Sequence, residues 1–379
     1  MIIGIDISSI PYGTGVSVYT LNLVRNLIKI DKVNHYKLLY YSLRQPLPPE
    51  IAKYQGYPNV SIYHYRLPPT IMEFIWNKLH LLPIELFIGK CDIFHTWDWT
   101  QPPTASAKTV TTVHDFVPIL FPESQHPKTI ATFKKKLTLA AKECSYFICV
   151  SKNTLTDLYH LYPEIDKSKS SVIYEAAEDK YDQFQKLKPA EKLQKKTIIH
   201  QQYGLSKYIL AQGTREPRKN LDRLILAFTK YKRSHPESKV VLAITGKYGW
   251  GQDITPPTDN SVKILGYIPE KDMVALHASA ICLCYPSLYE GFGLPVIKSF
   301  KVGTPVITSN ISSLPEVAGN AAILVNPTSI DEISAAIDKI VNNQLIRRRL
   351  ISKGFVQSQK FSWLITAKET LAIYEKLLS

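Results

Sequence analysis

Much is missing from this chain of 379 residues. It has no apolar run long enough to cross a bilayer, and residues 1–7 enter an apolar, strand-like segment without a basic region and cleavage site, so a cytoplasmic protein is expected. Cysteine is scarce: five residues, odd in number and with no C-x-x-C pair, offer neither a disulfide framework nor zinc spacing. Cys282 and Cys284 alternate within one expected strand and read as small core residues. No Asp/Glu/His cluster suggests a metal ion, and no confident pair of carboxylates suggests a double displacement of the glycosidase kind. Acidic residues are outnumbered, 32 against 46 Lys and Arg, for a formal charge of +14. That excess is not a tail: residues 1–200 hold 24 basic and 18 acidic residues, the remainder 22 and 14. It suits a nucleotide diphosphate or anionic headgroups; the motifs of nucleic-acid folds are absent.

What is present is a globular composition, 45% hydrophobic and 21% charged, in a chain long enough for two domains. Strands are expected at 36–41, 60–65, 93–96 and 109–114, with helices near 16–30, 70–81 and 129–142 between them. Such alternation implies parallel sheets covered on both faces, with ligands collecting beyond the carboxyl ends of the strands. A Lys- and Gln-rich stretch, 183–205, reads as a partly helical linker between domains at 1–182 and 206–362.

The most informative stretch begins at the apolar run 280–285. It continues through Glu290-Gly291-Phe292-Gly293-Leu294-Pro295 into a short helix closed near Gly303, and then a strand at 304–309. A helix start softened by Gly291 and Gly293 aims free N–H groups at an anion. Glu290 stands at its lip, where a carboxylate sits badly beside a phosphate but well beside hydroxyls. A second glycine turn, Gly213-Thr214-Arg215-Glu216-Pro217-Arg218-Lys219-Asn220, sets three cations at a helix start and suits a diphosphate. Gly13-Thr14-Gly15 forms another strand-to-helix turn, but Val18 stands where a dinucleotide fingerprint needs its third glycine.

Two strand ends in the first half carry polar residues, His114-Asp115 and His95-Thr96-Trp97-Asp98-Trp99. A histidine so placed is either structural or a ligand contact. Trp97 and Trp99 are either core aromatics or an apolar platform for an acceptor sugar or lipid, with Asp98 and Asp115 beside them. The helix at 128–142, with Lys134, Lys135 and Lys136, is either a solvated face or a peripheral contact with an anionic membrane at its inner surface.

The segments Glu290-Gly-Phe-Gly-Leu-Pro, Gly303-Thr-Pro, Ser313-Leu-Pro-Glu-Val and Glu216-Pro-Arg-Lys-Asn resemble the retaining glycosyltransferases of family 4. That resemblance implies an α/β, GT-B fold: two Rossmann-like domains, acceptor-binding first and nucleotide-sugar-binding second, with the helix 363–379 packing back on the first. It implies a hexose moved from a GDP-mannose, UDP-hexose or dTDP-rhamnose type of donor to a glycan or lipid-linked acceptor, without cofactor, metal or nucleic acid. By the same resemblance Arg218, Lys219 and, with them, Arg215 and Gly213 meet the donor phosphates. Gly15 approaches the diphosphate, and Tyr267 marks the base-binding edge. His114 faces the sugar, and Glu290 with the backbone of Gly291, Phe292, Gly293 and Leu294 completes the site. Where the family carries a second glutamate, eight positions after Glu290, this chain has Lys298, which cannot accept hydrogen bonds from a diol. An Asn-Gly pair usual after the first domain's last strand is replaced by Glu175-Ala176-Ala177.

Overall fold

The computed structural model describes residues 1–249 and 253–379. The chain forms two compact units, Met1–Glu175 with Ser362–Ser379, and Ala176–Phe361.

The first unit is built on seven parallel strands: β1 Ile2–Asp6, β2 His35–Tyr41, β3 Val60–Tyr65, β4 Ile93–Thr96, β5 Lys108–Val113, β6 Tyr146–Cys149 and β7 Ser170–Val172. Their order is β3-β2-β1-β4-β5-β6-β7, so the winding reverses between β1 and β4. Strands β1, β4 and β6 are buried along almost their whole length, as expected of a sheet covered on both faces. Helix Gly15–Ile30 starts from Thr14, whose hydroxyl accepts from Ser17 N while Ser17 Oγ accepts from Thr14 N, a reciprocal cap. Helix Trp363–Leu378 completes this unit's core: Tyr374 is fully buried, its hydroxyl meets His95 Nδ1, and Trp363 packs edge-on to Tyr19. The helix expected at 70–81 is broken into Pro69–Glu73 and a wide π turn, Phe74–Leu79, ended by His80 in left-handed conformation. Leu82 also adopts positive φ.

The second unit has six parallel strands: β8 Tyr208–Gln212, β9 Val241–Thr245, β10 Val262–Gly266, β11 Cys282–Tyr285, β12 Val306–Ser309 and β13 Ala322–Val325. Their order is β10-β9-β8-β11-β12-β13, with the reversal between β8 and β11. Residues 176–205 belong here, and the stretch expected as a linker is helical, within Asp179–Lys186 and Pro189–Tyr203. Few apolar residues suffice to hold it: Tyr181, Phe184 and Ile199 are buried, Tyr203 donates to Asp272 at 2.8 Å and Lys301 donates to Asp182 at 2.6 Å. Among the described residues no helix is long and apolar enough to cross a membrane.

Candidate active site

Because β8 and β11 are neighbours, the two glycine turns that follow them meet, although some 70 residues separate them in sequence. Gly213 and Gly246, at φ +140° and +135°, make the first turn possible. A Cβ on Gly246 would lie 1.8 Å from the Gly213 carbonyl oxygen. The chain then tightens through a 3₁₀ turn, Pro217–Lys219, into Asn220, whose side-chain amide donates to the carbonyls of Pro286 (2.9 Å) and Pro327 (2.7 Å). Leu288 N donates back to Arg218 O at 2.8 Å, so the turns are stitched together by backbone. Helix Leu294–Lys301 follows, with Gly293 at φ +108° as its cap and Pro295 in its first turn.

Glu290 is the centre of this arrangement. One carboxylate oxygen accepts from Lys219 Nζ and Tyr285 OH, both at 2.6 Å, and the other from Arg218 Nη1 at 2.9 Å. Burial works to raise the carboxyl's pKa, but Lys219 and Arg218 outweigh it and hold the group down at about 2. Burial and the adjacent Arg218 push the Lys219 ammonium below the usual lysine range, against the pull of Glu290 and Glu216. Arg218 also bridges to Glu216 at 2.6 Å and donates to Tyr289 O at 2.9 Å. Two cations and two carboxylates therefore balance at the head of a helix. The Glu290 backbone is clamped too: its N–H donates to Ser312 Oγ, and Ser313 Oγ donates to its carbonyl. Ser312 is one of few non-glycine residues at positive φ, +59°.

The other residues expected on the donor side have separate places. Phe292 is buried against the Phe361 ring, and Gly293 admits no Cβ without meeting Leu314 at 2.8 Å. Gly291 and Leu294 lie on either side of them in the same turn. Arg215 pairs with Asp253 at 2.9 Å. Tyr267 is exposed, with Lys247 Nζ 4.7 Å from its ring centroid. Lys298 is buried and engaged: its ammonium lies 3.1 Å from Glu178 and 5.5 Å from the centre of the Tyr181 ring. Glu178 and Tyr285 escape sequence reasoning, because no local motif marks them; Glu216 lies within the Glu216-Pro-Arg-Lys-Asn segment, which gives it no role of its own.

In the first unit, His114 follows β5 and its Nδ1 lies 3.0 Å from Asp98 Oδ2, while buried Nε2 has no hydrogen-bond partner. Burial works to lower the imidazole pKa, but Asp98 overcomes it and the net shift is upward. Asp98 thus orients the ring, and Asp115 accepts from Val117 N at 2.9 Å where the next turn begins. Trp97 is buried and donates to Asp6 O; Trp99 is exposed. Both line a mainly apolar cavity of about 520 Å³, together with Asp6, Tyr12, Tyr41 and Thr100. Asp6, not singled out by the sequence, is a buried carboxyl at the end of β1 whose pKa burial raises. Gly15 opens the helix at the same sheet edge, with open space where a Cβ would be. Among the described residues no group of three or more His, Cys, Asp or Glu is placed to hold a metal ion.

Two doubly wound parallel-sheet units, one carrying a lysine–arginine–glutamate cluster at a helix start, define the GT-B class of glycosyltransferases. The chain belongs to Glycosyltransferase Family 4, whose model matches residues 13–179, while that for Glycosyl transferases group 1 matches residues 194–357. The O-antigen chain mannosyltransferase B of Escherichia coli is 28% identical over 378 residues, 96% of each chain. The O-antigen chain mannosyltransferase RfbU of Salmonella typhimurium is 30% identical over 280 residues, 73% of this chain and 72% of its own. Anabaena HepE, solved in complex with UDP-glucose, matches with a TM-score of 0.68 over 99% of this chain and 98% of its own, at 17% identity. At that identity the likeness is one of fold.

Proposed function

We propose that this glycosyltransferase moves mannose from GDP-mannose, with retention at the anomeric carbon, to a hydroxyl of a glycan or lipid-linked glycan in surface polysaccharide synthesis at the cytoplasmic face of the membrane. The observation that carries the donor site is the convergence of Arg218, Lys219 and the start of helix Leu294–Lys301 on Glu290. Mannose, among the hexoses that the motifs allow, is favoured by the names of the two relatives that match most of their own length.

A diphosphate entering the cluster takes hydrogen bonds from Arg218 and Lys219 that Glu290 holds in the free protein, and the helix dipole adds to their charge. Glu290 is then free to accept from sugar hydroxyls. As the bond from C1 to the phosphate oxygen breaks, these cations stabilise the negative charge gathering on the leaving group. The acceptor oxygen bonds to C1 on the face just vacated, and its proton passes to the departing phosphate. His114, with Nε2 unpaired, is assigned to a donor hydroxyl or phosphate oxygen, and Asp98 fixes its tautomer. Trp97 and Trp99 are assigned to the acceptor. No step calls for a metal ion.

The test is a panel of GDP-mannose, UDP-glucose and dTDP-rhamnose, with melting shifts for GDP, UDP and dTDP. A shift with GDP, together with mannose transfer or slow hydrolysis giving the α-product by NMR, supports the reading. A shift confined to another nucleotide, or an inverted product, overturns it.

A further inference from the structure

Between β3 and β4 the first unit carries an apolar edge that its own fold leaves uncovered. One side of residues 69–88 builds core: Met72, Trp76, Ile84 and Ile88 are buried. The same segment leaves Ile71, Phe74, Leu79, Leu81, Leu82 and Leu86 between 44% and 69% exposed. Single exposed leucines are ordinary, but six large apolar side chains within one short segment form a patch. Lys78 Nζ lies 5.9 Å from the centre of the Phe74 ring, so the patch has a cation within it.

Helix Pro127–Glu143 lies alongside. Thr132 donates to Glu73 at 2.9 Å, and His80 Nε2 meets Glu143 at 2.8 Å. Lys128, Lys135 and Lys142 recur every seven residues and are exposed, on the stripe next to Thr132 and Glu143. Against the exposed Lys128, Lys134, Lys135 and Lys142 the helix carries one acid, Glu143, which His80 meets, and the apolar segment adds Lys78 with Glu73 and Glu85. A lysine stripe thus borders an apolar patch with little acid to offset it. The cavity that holds Trp97 and Trp99 is walled by both elements, through Pro69, Thr70 and Glu73 on one side and Lys128, Thr129 and Thr132 on the other.

We propose that this edge is a docking surface for an anionic lipid bilayer. Ile71, Phe74 and the leucines enter the boundary between headgroups and acyl chains, and Lys78, Lys135 and Lys142 meet the phosphate headgroups. A second copy of the chain fits less well, because a twofold contact through the same edge would bring two lysine stripes together. Docking sets the cavity wall against the membrane, where a lipid-borne acceptor is delivered. Only that use of the cavity rests on the transferase reading; docking itself does not.

The experiment is co-sedimentation of the full chain with vesicles of phosphatidylcholine, alone or with about one third phosphatidylglycerol. Binding to the anionic vesicles alone, falling as salt rises, is expected. Each lysine near such a surface is worth roughly fivefold in partitioning, so Lys135→Glu/Lys142→Glu should lower binding at least twentyfold, by the same rough estimate. Ile71→Ser/Phe74→Ser should also release the protein. Lys167→Glu/Lys169→Glu, an exposed pair elsewhere on the first unit, should change binding little. All variants should keep the wild-type melting point and nucleotide shift, which separates loss of docking from loss of fold or donor site. No wild-type binding to anionic vesicles, or an equal loss in the Lys167/Lys169 control, overturns the proposal. So does a concentration-dependent dimer broken by Ile71→Ser/Phe74→Ser without vesicle binding.

Discussion

Lys298 and Glu178 form a buried ion pair, Nζ to Oε2 3.1 Å, and Lys180 reaches the same carboxylate at 3.0 Å. The lysine that replaces the family's second glutamate is therefore matched by an acid from a distant segment. Lys298→Glu should place two carboxylates together and destabilise the second unit by about 3 kcal/mol or more, since a buried charge loses its partner. Lys298→Glu/Glu178→Lys should recover a large part of that loss. Urea unfolding of the four proteins of this cycle measures the coupling, and additive losses would show that the pair does not matter to stability.

Glu290→Gln keeps the shape of the site but removes the charge shared by Lys219 and Arg218. Turnover should fall about a hundredfold, by comparison with the loss of one polar contact to a transition state. Affinity for the nucleoside diphosphate should hold or rise, because two cations lose a competing anion. Steady-state kinetics with calorimetric titration would separate the two, and equal losses in both would remove Glu290 from catalysis.

Asp98→Asn should act through His114. Asp98 raises the imidazole pKa, so its loss should move any His114-dependent limb of the pH–rate profile toward acid, with lower turnover. The sign for stability follows from the same shift. A raised folded pKa contributes stability that is present below the unfolded histidine value and is lost as pH rises through the folded value. In Asp98→Asn that contribution should vanish, which melting curves taken across this range would register.

Acid should act in the opposite sense on two glutamates. Glu290 and Glu178 are each held down to about 2 against an ordinary value of 4.5, after burial has been overcome by Lys219 and Arg218 in one case and Lys298 and Lys180 in the other. Their stability is present above the ordinary carboxylate range and is lost as pH falls through it toward 2. Glu178→Gln should melt lower than wild type at neutral pH and approach it in acid. A constant difference across that range would mean that Glu178 does not titrate with folding.

The central strands were legible because parallel strands buried on both faces are written as largely apolar runs: 93–96 matches β4 and 280–285 contains β11. The half-exposed edge strand β3 was legible instead from its β-branched and aromatic residues, and 60–65 matches it. That Arg218, Lys219 and Glu290 matter was legible for a different reason. Each lies in a short turn marked by glycines, which reach positive φ freely, and by prolines, whose φ is fixed. Their pairing was not written locally. It depends on β8 lying next to β11, and with it come Tyr285, an ordinary residue in sequence, and Glu216, whose motif does not say what it pairs with. Helical character in 183–205 was legible, but its many lysines and glutamines hid that it packs into the second unit, where Tyr181, Phe184 and Ile199 are enough to anchor helices 179–186 and 189–203. The break at Phe74–Leu79 was hidden because a π turn keeps nearly the periodicity of an α-helix over so short a span.

Helix Trp363–Leu378 lies last in the chain but belongs to the first unit, where Thr366 Oγ1 donates to Tyr174 O at 2.7 Å and Tyr374 is wholly buried. During synthesis, the amino-terminal sheet emerges from the ribosome long before the piece that seals it. It must wait, with the groove for that helix open, until the entire second unit has been translated. A stop codon near residue 360 would thus spare every strand of the molecule and still leave its earliest-made half unfinished.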